Sequence, residues 1–320
     1  MSGRTRSFLF RLVLEEEDPT ALGLLRVLLV TVFTTALLAH IGAVGEYFSD
    51  DSMINGEYAR KAFHSRWSLF FYVQAPFAVR TIFAIGVVAH VCWILGYFTR
   101  FASLLAWALW VSLIGRNPNL YAFPDQLLMA LVTWMMVVPA GRGLSLDAKM
   151  RGKHGTVPVW CRRIFQLQFA VLYAKSVSMK TGTTWSEGTA VFYTVSNAYN
   201  RHFDLGPLLA LLNPWIFRPA THLVAVWQSL FALFVGGRWL REMYWPERKR
   251  LDMRVVFLGY GLAFHMVIQI LVYVVWFSAL CILGYAAFLT PSEARRAVDR
   301  LRRVGRSRSV RSADAAKDRI

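Results

Sequence analysis

The residues best suited to chemistry lie in one stretch, residues 166–193. An apolar helix is predicted there, and Gln166, Tyr173 and Lys180 follow each other at intervals of seven, which places them on one helix face. A lysine on the inner face of an apolar helix is costly to bury, so it is a functional candidate by default. Desolvation would lower the pKa of this amine, and a neutral amine can act as a general base. The alternative is an amine that snorkels to the membrane surface.

Other polar residues in apolar segments are weaker candidates. A single histidine in a membrane bundle is more often a hydrogen-bonding group than a ligand. His265 has Gln269 as its i+4 neighbour, which makes this pair a candidate for substrate binding. The histidines lack the spacing of three or four residues that metal sites on helices show, so no metal site is predicted. The sequence also lacks a nucleophile elbow, a phosphate loop and a dinucleotide fingerprint.

The composition indicates what kind of elements must position these residues. Hydrophobic residues make up 56% of the 320 residues and charged residues only 17%, against about 25% in a soluble domain. The mean hydropathy is +0.40, which predicts an integral membrane protein. A net charge of +17 would suggest nucleic acid in a soluble protein. Here the basic residues are better explained as orientation signals and contacts to anionic lipid, so membrane lipid is the expected partner and nucleic acid is not.

Eight apolar segments predict an all-α polytopic bundle of about eight transmembrane helices. The segments are 21–44, 77–98, 101–115, 123–140, 162–181, 217–238, 255–271 and 273–290. The loop 141–163 is strongly basic, whereas the charges in the loop 45–67 nearly cancel. By the positive-inside rule, both termini are cytoplasmic and Lys180 lies near the outer leaflet of a bacterial inner (cell) membrane. The outer loop 182–206 is predicted to carry an interfacial helix near 188–199.

The chain divides into three regions. Residues 1–20 are predicted to be a cytoplasmic amphipathic lead-in on the membrane surface, 21–290 the transmembrane domain, and 291–320 a disordered basic cytoplasmic tail. Asp18-Pro19-Thr20 predicts the start of the first transmembrane helix. Arg26 lies within that helix near its inner end, and it is expected to snorkel, with a role in a site as the alternative.

The stretch from Tyr173 to Gly188 resembles the core motif of the vitamin K-dependent gamma-carboxylase superfamily, which includes the bacterial HTTM domain proteins. That motif has a tyrosine, a lysine seven residues later, a tryptophan five further and then a glycine, which match Tyr173, Lys180, Trp185 and Gly188. The likeness covers residues 20–290. Weaker matches to the same family are Asn117-Pro118 with Asp125, Pro139-Ala140-Gly141 with Leu144-Ser145-Leu146-Asp147, and Phe264-His265.

The resemblance implies that Lys180 is the base that deprotonates a reduced quinone of the vitamin K hydroquinone type, the expected co-substrate. Tyr173, Trp185, His265 and Gln269 are then the candidate substrate-binding residues. In the carboxylases, oxygen adds to the quinol and gives a basic alkoxide and finally an epoxide. The alkoxide takes a proton from a glutamate side chain, and the resulting carbanion takes carbon dioxide.

Three features depart from the family pattern. The chain has Ser176-Val177 where the family usually has Ala-Gly, Thr181 where it has an apolar residue, and an additional charge at Lys175. Lys175 lies off the face that Tyr173 and Lys180 share, and it is expected to be paired or to snorkel. Carboxylases also continue into an outer β-rich domain that binds the protein substrate. We find no counterpart after the last apolar segment, so protein carboxylation is not expected.

The sequence leaves two classes of function open. The leading interpretation is a carboxylase-like lyase or epoxidase, in which Lys180 initiates oxidation of a reduced quinone or a similar lipid-soluble substrate, coupled or not to carboxylation. The alternative is a non-enzymatic membrane protein that binds or moves a lipid or a membrane partner, with Lys180 paired to an acid such as Glu187. A secondary transporter is less favoured, because the prolines that could break a helix lie near segment ends.

Overall fold

Each of the eight predicted segments contains a helix in the computed structural model, which describes residues 8–152, 155–199, 201–245 and 252–303. The helices form because the segments are apolar and are interrupted by Gly, Pro and polar turns. The bounds are α1 Thr20–Leu38, α2 Pro76–Leu95, α3 Thr99–Arg116, α4 Phe123–Val137, α5 Trp160–Ser178, α6 Arg218–Tyr244, α7 Met253–Leu271 and α8 Phe277–Gly284.

Within the described ranges, four helical stretches are long and apolar enough to cross a membrane, and a fifth is added if one bent pair of helices counts as a single span. The four are Thr20–Phe48, Pro76–Leu95, Pro214–Tyr244 and Met253–Leu271, and the bent pair is Phe277–Phe288 with Pro291–Arg303, at 117°. These stretches confirm the prediction of a helical integral membrane protein.

Short helices fill the connections between the long ones. The α-helical ones are Val44–Phe48, Gly56–Ala62, Leu146–Met150, Thr183–Ser186, Ala190–Ser196 and Gly206–Ala210. The 3-10 helices are Ile41–Ala43, Leu69–Phe71, Pro118–Leu120, Ala140–Arg142, Pro214–Phe217 and Tyr285–Phe288, and Phe10–Leu14 is a π-helix. Helix Ala190–Ser196 lies inside the range 188–199 in which a helix was predicted.

The structure differs from the all-α prediction by one small β-sheet. Strand β1 (Glu16–Glu17) pairs antiparallel with strand β2 (Val157–Pro158). Two-residue strands are too short to produce an alternating hydrophobic pattern, so the sequence gives no signal for them. Arg162, at the start of α5, reinforces the pairing with three hydrogen bonds of 2.8, 3.2 and 2.9 Å to the Glu17 carboxylate. Strand β1 is therefore fastened to α5. The position of residues 1–20 on the membrane surface stays a prediction.

Helix α1 is the centre of the bundle, since it packs against α2, α4, α5 and α8. Helices α2 and α3 approach closely at Gly86, where an added Cβ would collide with the side chain of Leu109. Small residues permit such close contacts between membrane helices. The other large helix pair is α5 with α6, and this pair carries the lysine stretch.

The structure corrects the expectation that Arg26 snorkels. Its side chain is fully buried, and the guanidinium donates hydrogen bonds to the carbonyl oxygens of Ala140 (2.7 Å), Gly143 (3.2 Å), Leu144 (2.7 Å) and Ile94 (3.4 Å). Three of these carbonyls belong to the turn after α4, and hydrogen bonding by Arg26 satisfies backbone groups that would otherwise be unpaired. Arg26 therefore fastens this turn to α1.

Asp147 fixes the start of α3. Its carboxylate accepts hydrogen bonds from the backbone N–H of Phe98 (2.9 Å) and from the N–H and hydroxyl of Thr99 (2.9 and 2.7 Å). Burial alone would raise the pKa of Asp147, but these hydrogen bonds outweigh it and lower the pKa from its ordinary value of 3.8. The carboxylate therefore stabilises the fold above that pH, and this contribution is lost as the pH falls below it.

We expect Asp147→Ala to lower the free energy of unfolding by about 1–2 kcal/mol near neutral pH, the usual cost of losing a helix cap. The measurement is thermal unfolding of the purified protein in detergent over a pH series. The difference from the wild type should shrink as the pH falls below 3.8. Equal melting temperatures near pH 7, or a difference that does not change on acidification, would contradict this role.

The predicted disordered tail begins with a helix, Pro291–Arg303. The hydroxyl of Thr290 accepts from the N–H of Glu293 (3.3 Å), and the Glu293 carboxylate accepts from the N–H of Thr290 (2.8 Å), which together form a capping box. Arg254 of α7 donates to the same carboxylate at 2.6 and 2.8 Å. Disorder is therefore wrong for residues 291–303, and residues 304–320 lie outside the described residues.

Candidate functional site

A cavity of about 440 Å³ lies between α4 and α5 and contains Lys180. Its walls are largely apolar, and its polar lining is Gln126, Gln168, Lys175, Ser176 and Lys180. Val171 and Met179 line it as well, and both are more than half exposed. Exposed apolar residues on the surface of a membrane bundle are where lipid lies, so the cavity is suited to a lipid-soluble molecule.

Lys180 lies just beyond the end of its helix. Helix α5 ends at Ser178, and the N–H of Lys180 donates to the carbonyl of Val177 at 2.8 Å. The side chain turns back toward the helix, and its Nζ donates to Ser176 at 2.6 Å (Oγ) and 3.3 Å (carbonyl). Nζ also lies 4.9 Å from the centroid of the Trp185 ring, a cation–π distance. The amine is thus held in one position at the cavity wall.

The amine of Lys180 is half-buried and has no charged partner among the described residues. Burial lowers the pKa of Lys180, because desolvation disfavours the charged form. In the described part of the chain, the partners of Nζ are Ser176 and the Trp185 ring, both uncharged. Glu187, the acid partner that the lipid-binding alternative predicts, is not among them; its carbonyl accepts a hydrogen bond from Arg218 at 2.6 Å. Such an amine can accept a proton from a weakly acidic hydroxyl.

Ser176 links Lys180 to a residue that sequence reasoning missed. The Ser176 hydroxyl accepts from Lys180 and donates to Oε1 of Gln228 at 3.3 Å. Gln228 lies on α6 and is only 4% exposed. The sequence shows only an amide side chain inside an apolar segment. This indicates a candidate functional residue but does not identify its hydrogen-bond partner. The serine that departs from the family pattern therefore orients the lysine.

Tyr173 lies in the core of the bundle. It is 1% exposed, and its hydroxyl is hydrogen-bonded to Nε2 of His265 (2.9 Å) and to the hydroxyl of Tyr285 (2.5 Å). Its ring packs on Trp227 and Phe231, with centroid distances of 4.7 and 4.5 Å. Tyr173 is not part of the lining of the Lys180 cavity. It joins α5 to α7 and to the 3-10 helix that follows α8.

The structure thus separates the predicted site residues into two groups. Lys180 and Trp185 lie together at the cavity, and Tyr173 and His265 lie together in the core. Gln269 belongs to neither group, because it is exposed on α7. Helix periodicity correctly predicts that Tyr173 is buried. It does not predict the position of Lys180, because α5 ends at Ser178.

No group of three or more His, Cys, Asp or Glu side chains could hold a metal ion in the ranges that the structure describes. The cavity is also free of such a group, since its polar lining consists of lysines, amides and a serine. The groups that line the cavity can transfer protons and form hydrogen bonds.

Comparison with known proteins places the chain in a family. Neither a curated protein nor a solved structure shows significant similarity to it. The HTTM domain model matches residues 14–292, from the end of the π-helix to the start of the last helix, so the match includes the cavity and the whole bundle. This match confirms the resemblance to the HTTM domain proteins that the motif from Tyr173 to Gly188 indicated. The chain belongs to the HTTM domain family.

Proposed function

We propose that this HTTM domain protein binds a reduced quinone, or a similar lipid-soluble molecule with an acidic hydroxyl, in the Lys180 cavity. Lys180 initiates oxidation of this substrate by removing the hydroxyl proton. The observation that carries the proposal is a half-buried amine at the wall of a mostly apolar cavity, with uncharged partners. The resemblance of the motif to the gamma-carboxylases supports the same role.

The proposed step is a proton transfer. The neutral amine of Lys180 takes the hydroxyl proton, which leaves a quinol anion and an ammonium group. The ammonium donates to Ser176 and lies over the Trp185 ring, so both the hydroxyl oxygen and the ring face stabilise the charged product. Dioxygen is the oxidant, and reducing it to peroxide takes two electrons and two protons overall. In the carboxylase pattern, oxygen instead adds to the quinol ring and leads to the epoxide.

The test is an aerobic assay with the purified protein in lipid vesicles. Reduced naphthoquinone is supplied, quinol absorbance and oxygen consumption are followed, and labelled bicarbonate is included. The proposal predicts faster quinol loss than in vesicles without protein, and acid-stable label would show that carbon dioxide is used. Equal rates with and without protein would overturn the enzymatic proposal.

A second candidate function is the binding of an anionic lipid without chemistry. It is favoured by the second lysine of the cavity, because Lys175 and Lys180 both line it. Two cations beside apolar walls fit an amphiphile with an acidic headgroup. Native mass spectrometry of the protein with anionic and zwitterionic phospholipids tests it. This function would be favoured if the wild type retains the anionic lipid, Lys175→Ala and Lys180→Ala lose it, and no quinol turnover is seen.

We also propose eight crossings of a bacterial inner membrane with both termini in the cytoplasm. The eight apolar segments of the sequence and the basic loop 141–163 support this topology. Thr183 and Lys149 are both exposed, so single-cysteine variants of a cysteine-free protein report on the two sides. We expect a membrane-impermeant maleimide to label Thr183→Cys in intact cells and Lys149→Cys only after lysis. The reverse pattern would invert the topology.

A further inference from the structure

A second set of polar side chains is buried away from Lys180. It consists of His40 beyond α1, Trp110 and Asn117 on and after α3, Tyr121 in the connection to α4, and Asp125 in the first turn of α4. The rings of Trp110 and His40 lie 5.3 and 5.7 Å from that of Tyr121, and the two lie 6.3 Å from each other. We call these five residues the Tyr121 cluster.

The Tyr121 cluster contains a concentration of unpaired polar atoms. Among the described residues, one buried side-chain atom of each member is without a hydrogen-bond partner. These atoms are Nε2 of His40, Nε1 of Trp110, Oδ1 of Asn117, the hydroxyl of Tyr121 and Oδ1 of Asp125. His40, Asn117 and Asp125 are 9%, 6% and 5% exposed. Buried polar groups in native proteins nearly always have partners, so five orphans in one cluster indicate a common ligand.

Asp125 connects the cluster to the neighbouring element. Its Oδ2 accepts from the N–H of Ala122 at 2.8 Å, which leaves Oδ1 for another donor. The indole N–H of Trp276, just before α8, faces the carboxylate without reaching hydrogen-bond geometry. Oδ1 of Asp125 is therefore available to a ligand of the Tyr121 cluster.

The chemistry of these atoms defines the ligand. Trp110 can only donate, Asn117 Oδ1 accepts, and Tyr121 and His40 can do either. A ligand that serves all of them must both donate and accept hydrogen bonds. Buried water meets this condition, since it makes about three hydrogen bonds to otherwise unpaired groups. We infer that the Tyr121 cluster binds a small group of internal water molecules.

This hydrated site lies beside the Lys180 cavity without being part of it. Helix α4 separates the two, because Phe123 and Gln126 line the cavity while Asp125 belongs to the cluster. The inference rests on the buried polar atoms alone, so it holds whichever ligand occupies the cavity. The hydrated Tyr121 cluster is a polar centre inside the bundle, and it includes the carboxylate of Asp125.

Radiolytic hydroxyl-radical labelling tests the inference, because radicals formed from internal water modify the side chains next to it. The whole protein in detergent is irradiated, and modification is mapped by mass spectrometry. We expect Trp110 to be modified several-fold faster than Trp227. Trp227 is the matched control, since both rings are buried and its indole N–H donates to the Phe257 carbonyl. Equal rates for the two tryptophans would overturn the inference.

The melting temperature of Tyr121→Phe provides an independent test, because the inference and its opposite predict changes in opposite directions. If the Tyr121 hydroxyl binds water, Tyr121→Phe removes a hydrogen bond to that water and lowers the melting temperature. If the hydroxyl is buried without any hydrogen-bond partner, removing it raises the melting temperature, because the cost of an unpaired buried group disappears. Tyr72→Phe is the control, since that ring is 71% exposed and its change is expected to be neutral. A raised melting temperature for Tyr121→Phe would contradict the inference.

Discussion

Lys180→Ala is expected to abolish quinol oxidation, with kcat/KM lowered by about 10²–10⁴-fold, the contribution of a positioned general base. The reason is that Lys180 is the cavity amine whose pKa burial lowers and whose position Ser176 and Trp185 fix. The measurement is the initial rate of quinol loss in vesicles at several quinol concentrations. An alanine variant with the wild-type rate would remove Lys180 from the mechanism.

Two control variants distinguish a role of Lys180 as a base from a role of its positive charge. Lys175→Ala removes the other lysine of the same cavity, and Lys175 is exposed, so we expect the rate to be largely retained. Lys180→Arg keeps a positive charge, but a guanidinium stays protonated and cannot accept a proton, so this variant should be as slow as Lys180→Ala. Activity in Lys180→Arg would mean that the cavity needs a cation for binding and not a base.

Arg26→Leu is expected to lower the free energy of unfolding by at least about 3 kcal/mol, because it leaves several buried carbonyl oxygens without a donor. Each such group costs roughly 1–3 kcal/mol. The variant should accumulate poorly in membranes and unfold at a lower temperature in detergent. The measurement is the fluorescence-detected elution profile after heating, compared with the wild type.

Arg80→Leu is the matched control for this effect. Arg80 also lies near one end of an apolar helix, α2, but its side chain is exposed. Surface substitutions usually change stability by less than about 0.5 kcal/mol. If Arg26→Leu were as stable as Arg80→Leu, the three hydrogen bonds from Arg26 to the turn after α4 would not be holding that turn.

The sequence predicted the helices well because their signals are local. The second segment was predicted at 77–98, and α2 runs from Pro76 to Leu95, ending at Gly96 with a φ of +68°. Proline at the first turn and glycine after the last are the usual helix boundaries. The helix after residue 290 was missed although Thr290 and Glu293 form a capping-box pattern. The basic composition of 291–320 indicates disorder, and the capping box is the local pattern that indicates a helix instead.

The parts of the site that the sequence did not predict depend on distant partners. Tyr173 pairs with His265 and Tyr285, which are 92 and 112 residues further along the chain. Ser176 meets Gln228 across 52 residues. No local pattern encodes such pairs, because they arise only when α5, α6 and α7 pack. The motif identified Lys180 and Trp185 together because they are close in sequence as well as in space.

Formation of the quinol anion without oxygen tests the central claim most directly. Under strict anaerobic conditions, reduced naphthoquinone is added to the protein in vesicles, and the absorbance band of the anion is recorded. The account predicts about one equivalent of anion per protein in the wild type and in Lys175→Ala, and none in Lys180→Ala or Lys180→Arg. An anion band of equal size in Lys180→Ala, or no band in the wild type, would show that Lys180 is not the base.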